Sequence, residues 1–419
     1  MRMLENAWTK IMMNETLLFD SLSSPIPEVR RDLQIIPIND NGRSLFYFHD
    51  PMSYSTPNFA LDQKINPILS LITGSYSISQ IVKLLNGSLN TDDLLDFVQL
   101  LDQHRVLNSK HFRIFSNRIE NDFEASAVRK SILLNGQAPD QQNQLSIEFD
   151  HKFAESRSMF TPQKGLYAPH IDLKVGGSQY IEAFSSLKDI APKRVVILGT
   201  SHYAGYYGSL YEGAPFIGSE KTYQVKNNAY STDQDYIAKL VESQEEIGFS
   251  FSDRAHRIEH SIEMHLMMLN HIWNHEFTIV PILIAGFDEL FYHSTGQLSK
   301  KIARFSSKIR ELDNEDTFYL ISGDLSHVGR KFGDPLSAKD LRTDVELTDH
   351  QFIDSAQSGD AVKLLDLLTK DNDSTRICGY PPLYTFLNIF PGIKGEKINY
   401  QWWDESERDS AVSFGSIAY

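Results

Sequence analysis

Three short apolar runs stand out along the second half of the chain: KRVVILGT (193–200), FTIVPILIAG (277–286) and TFYLISGD (317–324). Continuous apolar runs of this length, with no alternation, predict strands buried on both faces of a sheet. Between and after them the pattern changes to a helical period, in STDQDYIAKLVESQEEIG with Ser231 as its cap, in EHSIEMHLMMLNHIWN, and from Asp288 to Arg310. Strand and helix in alternation predict an α/β fold, a parallel or mixed sheet covered by helices on both sides. Upstream the pattern is different. QIIPIND and SLFYFHDP flank Asn39-Asp40-Asn41-Gly42, a turn between two strands. Ser77 is placed to cap a helix with Ile78, Ile81, Leu84 and Leu85 on one face, and Asn90 or Thr91 a second helix with Leu94, Leu95, Val98 and Leu101. A closing strand around Phe112 to Phe115 would complete a small α+β unit with the outline of a winged helix.

The length of 419 residues suits two domains. The pattern divides the chain into an N-terminal extension (1–29), the winged-helix unit (30–118), a linker and lead-in segment (119–160) containing the polar run Asn135 to Gln144, and the α/β domain (161–419). At 41% hydrophobic and 23% charged residues, disordered and collagen-like chains are excluded. No stretch reaches the roughly 18 apolar residues of a membrane helix, and Glu5, Lys10 and Glu15 interrupt the opening segment, which therefore does not read as a signal peptide. A cytoplasmic protein with no membrane partner is expected. The single cysteine, Cys378, excludes a disulfide framework, a zinc site built on several thiolates and a resident iron–sulfur cluster. A net charge of −15 disfavours nucleic acid. The winged-helix unit has no basic face either: residues 30 to 115 hold eight Lys or Arg against eight Asp or Glu, and the second helix begins Asp92-Asp93.

Eleven of the 14 histidines follow residue 150, so the chemistry is expected in the α/β domain. Ligands of such sheets bind beyond the carboxyl ends of the strands. His170 and Asp172 follow Gly165-Leu166-Tyr167; Thr200-Ser201-His202-Tyr203 follow VVILG; Gly323-Asp324-Leu325-Ser326-His327 follow FYLIS. If the strands are neighbours, these side chains converge on one mouth, where two imidazoles and an oxygen donor suit iron, copper or zinc. A fourth cluster, Glu259-His260-Ser261-Ile262-Glu263-Met264-His265, is not a zincin motif. Zincin histidines are four apart, whereas five residues place His260 and His265 about 140° apart around a helix. One can face the site while the other packs elsewhere.

Taken together, APHID, ILGTSH, EHSIEMHL, VPILI, SGDLSHVG and ICGYPPL resemble, in order and context, the Memo family, also called the AmmeMemoRadiSam system protein B family, from about residue 160 to the end. The resemblance implies an α/β/α sandwich like that of LigB-type extradiol dioxygenases, with iron or copper held by two histidines and a cysteine. Carried over motif by motif, the histidines are His170 in APHID and His202 in GTSH, and the cysteine position falls on Ser326 in DLSH. Serine is a weaker ligand than thiolate, so the departure implies weaker metal binding, with Asp324 or water completing the shell; Cys378 belongs to the separate ICG motif. APHID replaces the PHAGY of shorter members, and Asp172 adds a carboxylate near the mouth. Upstream, DPMSYSTPNFALD, ITGSYSISQIVKLLNG and DDLLDFVQLLDQHRVLNS resemble the PqqD-like fold, the RiPP recognition element, which implies binding of a leader peptide as an added strand.

Two functions follow as expectations. In the first, the chain is a metal-dependent redox enzyme with His170, His202 and Ser326 at the metal, His260, His327 and Asp324 in acid–base roles, and Asp172, Ser201, Glu259 and Glu263 around metal or substrate. The N-terminal unit would connect it to a peptide or to a radical-SAM partner. In the second, the cleft is a non-catalytic site for a peptide or partner, and the metal site is vestigial.

Overall fold

The computed structural model describes residues 18–133 and 139–419. The described chain forms two compact units, divided between Ala125 and Ser126.

The first unit carries a three-stranded antiparallel sheet, β1 (Gln34–Asp40), β2 (Arg43–His49) and β3 (Ala60–Asp62), in that order. The β1–β2 turn falls at Asn41-Gly42, both at positive φ, as expected for a two-residue hairpin loop. Helix α1 (Ile78–Leu84) starts at Ser77, which forms a reciprocal capping box with Gln80. Helix α2 (Thr91–Gln103) is capped by Asn90. Ile78, Ile81, Leu94, Val98 and Leu101 make the core together with Ile26, so the packed unit reaches into the stretch expected as an extension. The expected closing strand at Phe112–Phe115 is instead part of helix α3 (Lys110–Ala125). Phe112, Phe115, Ile119 and Phe123 recur at helical spacing on its half-buried face. The hairpin therefore precedes the helices.

The second unit begins with β4 (Val128–Lys130) and helix α4 (Pro139–Glu155). Residues 135–138 of the polar run expected in the linker lie outside the described residues, and from Pro139 onward it is helical, with proline in the first turn where its missing N–H costs nothing. Strand β5 (Gly165–Ala168), helix α5 (Leu173–Ser185) and strand β6 (Arg194–Thr200) follow. Then come β7 (Phe216–Gly218), β8 (Thr222–Val225), β9 (Asn228–Tyr230), α6 (Gln234–Val241) and β10 (Phe249–Ser250). Asp233 caps α6, not Ser231. Helix α7 (Ser261–Ile272) leads to β11 (Thr278–Ile284). The helix expected from Asp288 is broken between residues 293 and 296, and its long part is α8 (Gln297–Leu312). Strands β12 (Thr317–Ser322) and β13 (His327–Gly329), helices α9 (Ala338–Gln357), α10 (Ala361–Thr369) and α11 (Tyr380–Ile389), and strands β14 (Glu396–Glu405) and β15 (Ser410–Ala418) complete the unit.

The main sheet runs β10-β7-β11-β6-β12-β5-β15-β13, with β14 on β15. Its centre, β11-β6-β12-β5, is parallel, and antiparallel strands flank it. Alternate residues of the central strands enter opposite cores. Val196, Leu198, Tyr319 and Ile321 face helices α6, α8, α9, α10 and α11. Val195, Ile197, Phe318 and Leu320 face α4, α5 and α7. Burial on both faces explains the continuous apolar runs, each such side chain contributing about 1.5–3 kcal/mol. The architecture is α/β, three layers around a mixed sheet.

Candidate metal centre

The carboxyl ends of β5, β6 and β12 lie side by side. The loops leaving them deliver His170, His202 and Asp324 to one place. The rings of His170 and His202 are 4.9 Å apart, and the His260 ring is 5.1 Å from the first and 4.9 Å from the second.

Cys378 joins them from a distant loop. One ligand atom each from His170, His202 and Cys378 lies within 4.8 Å of the others. The Cys378 Sγ is 3.4 Å from His170 Nε2, the separation expected when donors at roughly 2.1 and 2.3 Å subtend roughly 100° at one ion. Two glycines make this approach possible. A Cβ on Gly323 would lie 2.1 Å from the Cα of Gly379, and one on Gly379 2.2 Å from the Tyr167 hydroxyl. With hydrogen at both positions the backbones touch: Gly379 N–H donates to the Asp324 carbonyl at 2.9 Å, and Asp324 N–H reaches Sγ at 3.3 Å. The Thr200 hydroxyl donates to the Cys378 carbonyl at 2.8 Å, tying the loop to the end of β6.

Both imidazoles have their tautomer set from behind. The Ser322 hydroxyl donates to Ser261 O at 2.7 Å, so it can only accept from His170 Nδ1, at 3.2 Å. His202 Nδ1 donates to Glu259 at 3.0 Å. In each ring Nε2 is left to face the cluster, the arrangement that orients metal-bound histidines. Burial, reinforced by the neighbouring histidines, holds the pKa of His170 well below the ordinary value. Burial also opposes a charge on His202, but the Glu259 carboxylate outweighs it and raises the His202 pKa well above the ordinary value. A cation bound at that Nε2 displaces its proton. Burial likewise raises the Cys378 thiol, with His202 opposing.

Glu259 is buried, yet His202 and His260 hold its pKa down to about 2 against the cost of burial. It also accepts the backbone N–H groups of His202, His260 and Ser261 at 2.7, 2.9 and 3.2 Å. Asp324 is pushed up to about 7 by burial, though its Oδ1 accepts the His170 N–H at 2.9 Å. His327 donates through Nδ1 to the carbonyls of Leu325 and Arg376 at 3.0 and 3.1 Å, and burial lowers it to about 4. Two overlapping groups, His202–Glu259–His260 and Asp324–His327–Cys378, bring metal-binding atoms equally close.

Ser326 is not in the cluster. It is fully buried, and its hydroxyl donates to Asp349 at 2.6 Å. The metal-capable atom that lies beside the two histidines is the Sγ of Cys378, from the separate ICG motif. Glu263 is also directed elsewhere, into a buried ion pair with Arg129. Ser201 accepts the Ala204 N–H at 3.3 Å in its own loop, and Asp172 caps α5 through Lys174 N–H at 2.8 Å. His265 faces away from the cluster and bonds the carbonyls of Ala168 and Pro169 at 3.2 and 3.0 Å, which supports the end of β5.

A cavity of about 470 Å³ opens over the cluster. His170, His202, His260, Asp324 and His327 form its polar part, and Met264, Met267, Leu173, Phe332 and Trp403 are among its apolar walls.

A family model described as Memo-like protein matches residues 136–418. A MEMO1 family protein of Aquifex aeolicus is 27% identical over 405 residues, covering 94% of this chain and 99% of its own length. The human and zebrafish proteins named Protein MEMO1 are each 24% identical over 292 and 293 residues, 66% of this chain and 91% and 92% of theirs.

Proposed function

The chain belongs to the Memo-like protein family, and from that premise we propose that its second unit is a metal-dependent oxidoreductase, with one iron or copper ion held by His170, His202 and Cys378. The observation that carries this reading is the meeting of those three donor atoms within 4.8 Å, with both rings tied back through Nδ1. Two imidazoles and a thiolate suit iron, copper or zinc and disfavour magnesium or calcium. Three protein donors leave room for a further ligand, as a catalytic site requires. When bound, the ion supplies Lewis acidity and, if iron or copper, one-electron chemistry. The chain's own residues do the rest. Glu259 orients His202, the buried surroundings keep His170 unprotonated, and His260, His327 and Asp324 line the cavity where a substrate can exchange protons.

For the first unit we propose an accessory role, presenting a peptide or leader peptide to this site or to a partner such as a radical-SAM protein. Among the described residues no strand pairs with the outer edge of β1, which supports strand addition, although Pro37 leaves that strand one backbone donor short. The alternative of a non-catalytic peptide cleft over a vestigial site has less support. A cavity of about 470 Å³ suits a small molecule, and Cys378 offers the thiolate that Ser326 lacks.

The test is elemental analysis and anaerobic titration with iron(II) and copper(I) on untagged protein. One ion per chain is expected in the wild type and in Ser326→Ala, and none in Cys378→Ser or the His170→Ala/His202→Ala double variant. A wild type that takes up neither ion, or a Cys378→Ser variant that binds as the wild type does, refutes the assignment.

A further inference from the structure

The cavity over the cluster has two kinds of lining, and one of its cations has no ion-pair partner among the described residues. Its walls include Leu133, Leu173, Met264, Met267, Phe332 and Trp403. Thioether and aromatic side chains together favour a ring-bearing ligand, through stacking and sulfur–ring contacts. Phe332 is already fixed, edge-on against the His327 ring at 5.3 Å.

Two lysines and two aspartates also belong to the lining. Lys331 is paired with Glu405 at 2.7 Å. Asp172 is engaged by its own helix, accepting the Lys174 N–H at the start of α5. Asp324 is buried deep beside His170. The Lys174 side chain is exposed, and among the described residues no acidic group pairs with its ammonium. It is the cation in this lining that is left for a ligand.

We propose that the cavity binds a small carboxylate with an apolar, ring-bearing body, the ring against Trp403, Phe332 and the two methionines and the carboxylate on Lys174. The proposal deepens the metal-centre reading and rests on it for which end of the ligand faces the histidines. The carboxylate is bound at the mouth, so the opposite end of the ligand is the one turned toward His170, His202 and Cys378.

The test uses three probes with one body: 4-phenylbutanoate, 4-phenylbutanamide and 4-phenylbutylammonium. Each is titrated calorimetrically into the full chain, metal-free and loaded with iron(II) under anaerobic conditions. The carboxylate is expected to bind about fivefold tighter than the amide, as one partly solvated ion pair allows, and the ammonium weakest. Lys174→Met should bring the carboxylate to the affinity of the amide and leave the amide unchanged, while Trp403→Ala should weaken all three. Equal affinity for carboxylate and amide, no binding of any probe, or a preference that survives Lys174→Met overturns the proposal. A preference seen only with iron present also overturns it, because the carboxylate is then on the ion. A preference in protein that takes up no iron upholds this proposal and refutes the metal centre, so the two readings fail separately.

Discussion

The buried pair Arg129–Glu263 joins β4 to α7 and makes a quantitative prediction. Both side chains are essentially inaccessible, at 1% and 0% exposure. The guanidinium donates to Glu263, to Glu259 O at 2.6 Å, and to the carbonyls of His256 and Lys130, both at 3.2 Å. The Glu263 carboxylate also accepts the Ser131 hydroxyl and the backbone N–H groups of Ile132 and Leu133. Arg129→Met leaves that carboxylate buried without its counter-ion, a loss of about 3–5 kcal/mol. With a urea m-value of about 3 kcal/mol/M the midpoint falls by roughly 1–1.7 M. The two units need not unfold together, so the transition is followed by the fluorescence of Trp273, Trp402 and Trp403 in a Trp8→Phe background. The Arg129→Met/Glu263→Met double variant should recover most of the loss, because apolar replacement of a whole buried pair is close to neutral. The resulting coupling is at least about 2 kcal/mol. Iron affinity should not recover with stability, since the bond to Glu259 O, which steadies the residue behind His202, is still missing. The reasoning is refuted if Arg129→Met costs less than about 1 kcal/mol, or if the double variant is as unstable as the two single losses added together.

Glu259→Gln keeps the shape but not the charge behind His202, and iron affinity measured by chelator competition should fall about 10–100-fold; an unchanged affinity would show that Glu259 only packs. Gly379→Ala forces a methyl group against the Tyr167 hydroxyl and Asp324 O, so it should cost about 1–3 kcal/mol in thermal unfolding and weaken iron binding by moving Cys378. Alanine tolerated with full binding would contradict the close approach. His256 donates from Nε2 to Ile217 O at 2.9 Å and accepts the Tyr223 hydroxyl at Nδ1 at 2.5 Å, and burial pushes its pKa down to about 3. The unfolded chain, near 6.5, therefore binds the extra proton between those values, and stability falls as pH drops through that window. His256→Gln should make the slope shallower by about one proton, about 1.4 kcal/mol per pH unit, in urea titrations between pH 6.5 and 4.

Much of the fold is legible in the residue pattern because its signals are local. The three apolar runs are β6, β11 and β12 within a few residues, and Ser77 and Asn90 cap the helices they precede. The failures are also local. Phe112-Arg113-Ile114-Phe115 looks extended over four residues and declares a helix only when Ile119 and Phe123 enter the period. Asp288 to Arg310 keeps a helical period on either side of Ser294-Thr295-Gly296, where the helix breaks.

The site is legible to the extent that its residues follow strands. His170, His202 and Asp324 stand directly after β5, β6 and β12, so the order of a parallel sheet is enough to bring them together. Cys378 follows no strand of the sheet. It arrives at the end of a loop in which Asn372, Asp373 and Arg376 all take positive φ, held by Arg376 donating to His327 O at 2.9 Å and pairing with Asp334. Its approach depends on Gly323 and Gly379 meeting across more than fifty residues of sequence, a contact no periodicity announces. Ser326 is nearer the histidines along the chain, but it lies two residues beyond Asp324, is fully buried, and gives its hydroxyl to Asp349. Proximity in sequence to a strand end therefore points to Ser326, whereas the pair of glycines brings Cys378 beside the two histidines. A glycine directly after a lone cysteine, matched by another directly after an apolar strand, is the signal that was present in the chain. It has meaning only once two backbones are asked to touch.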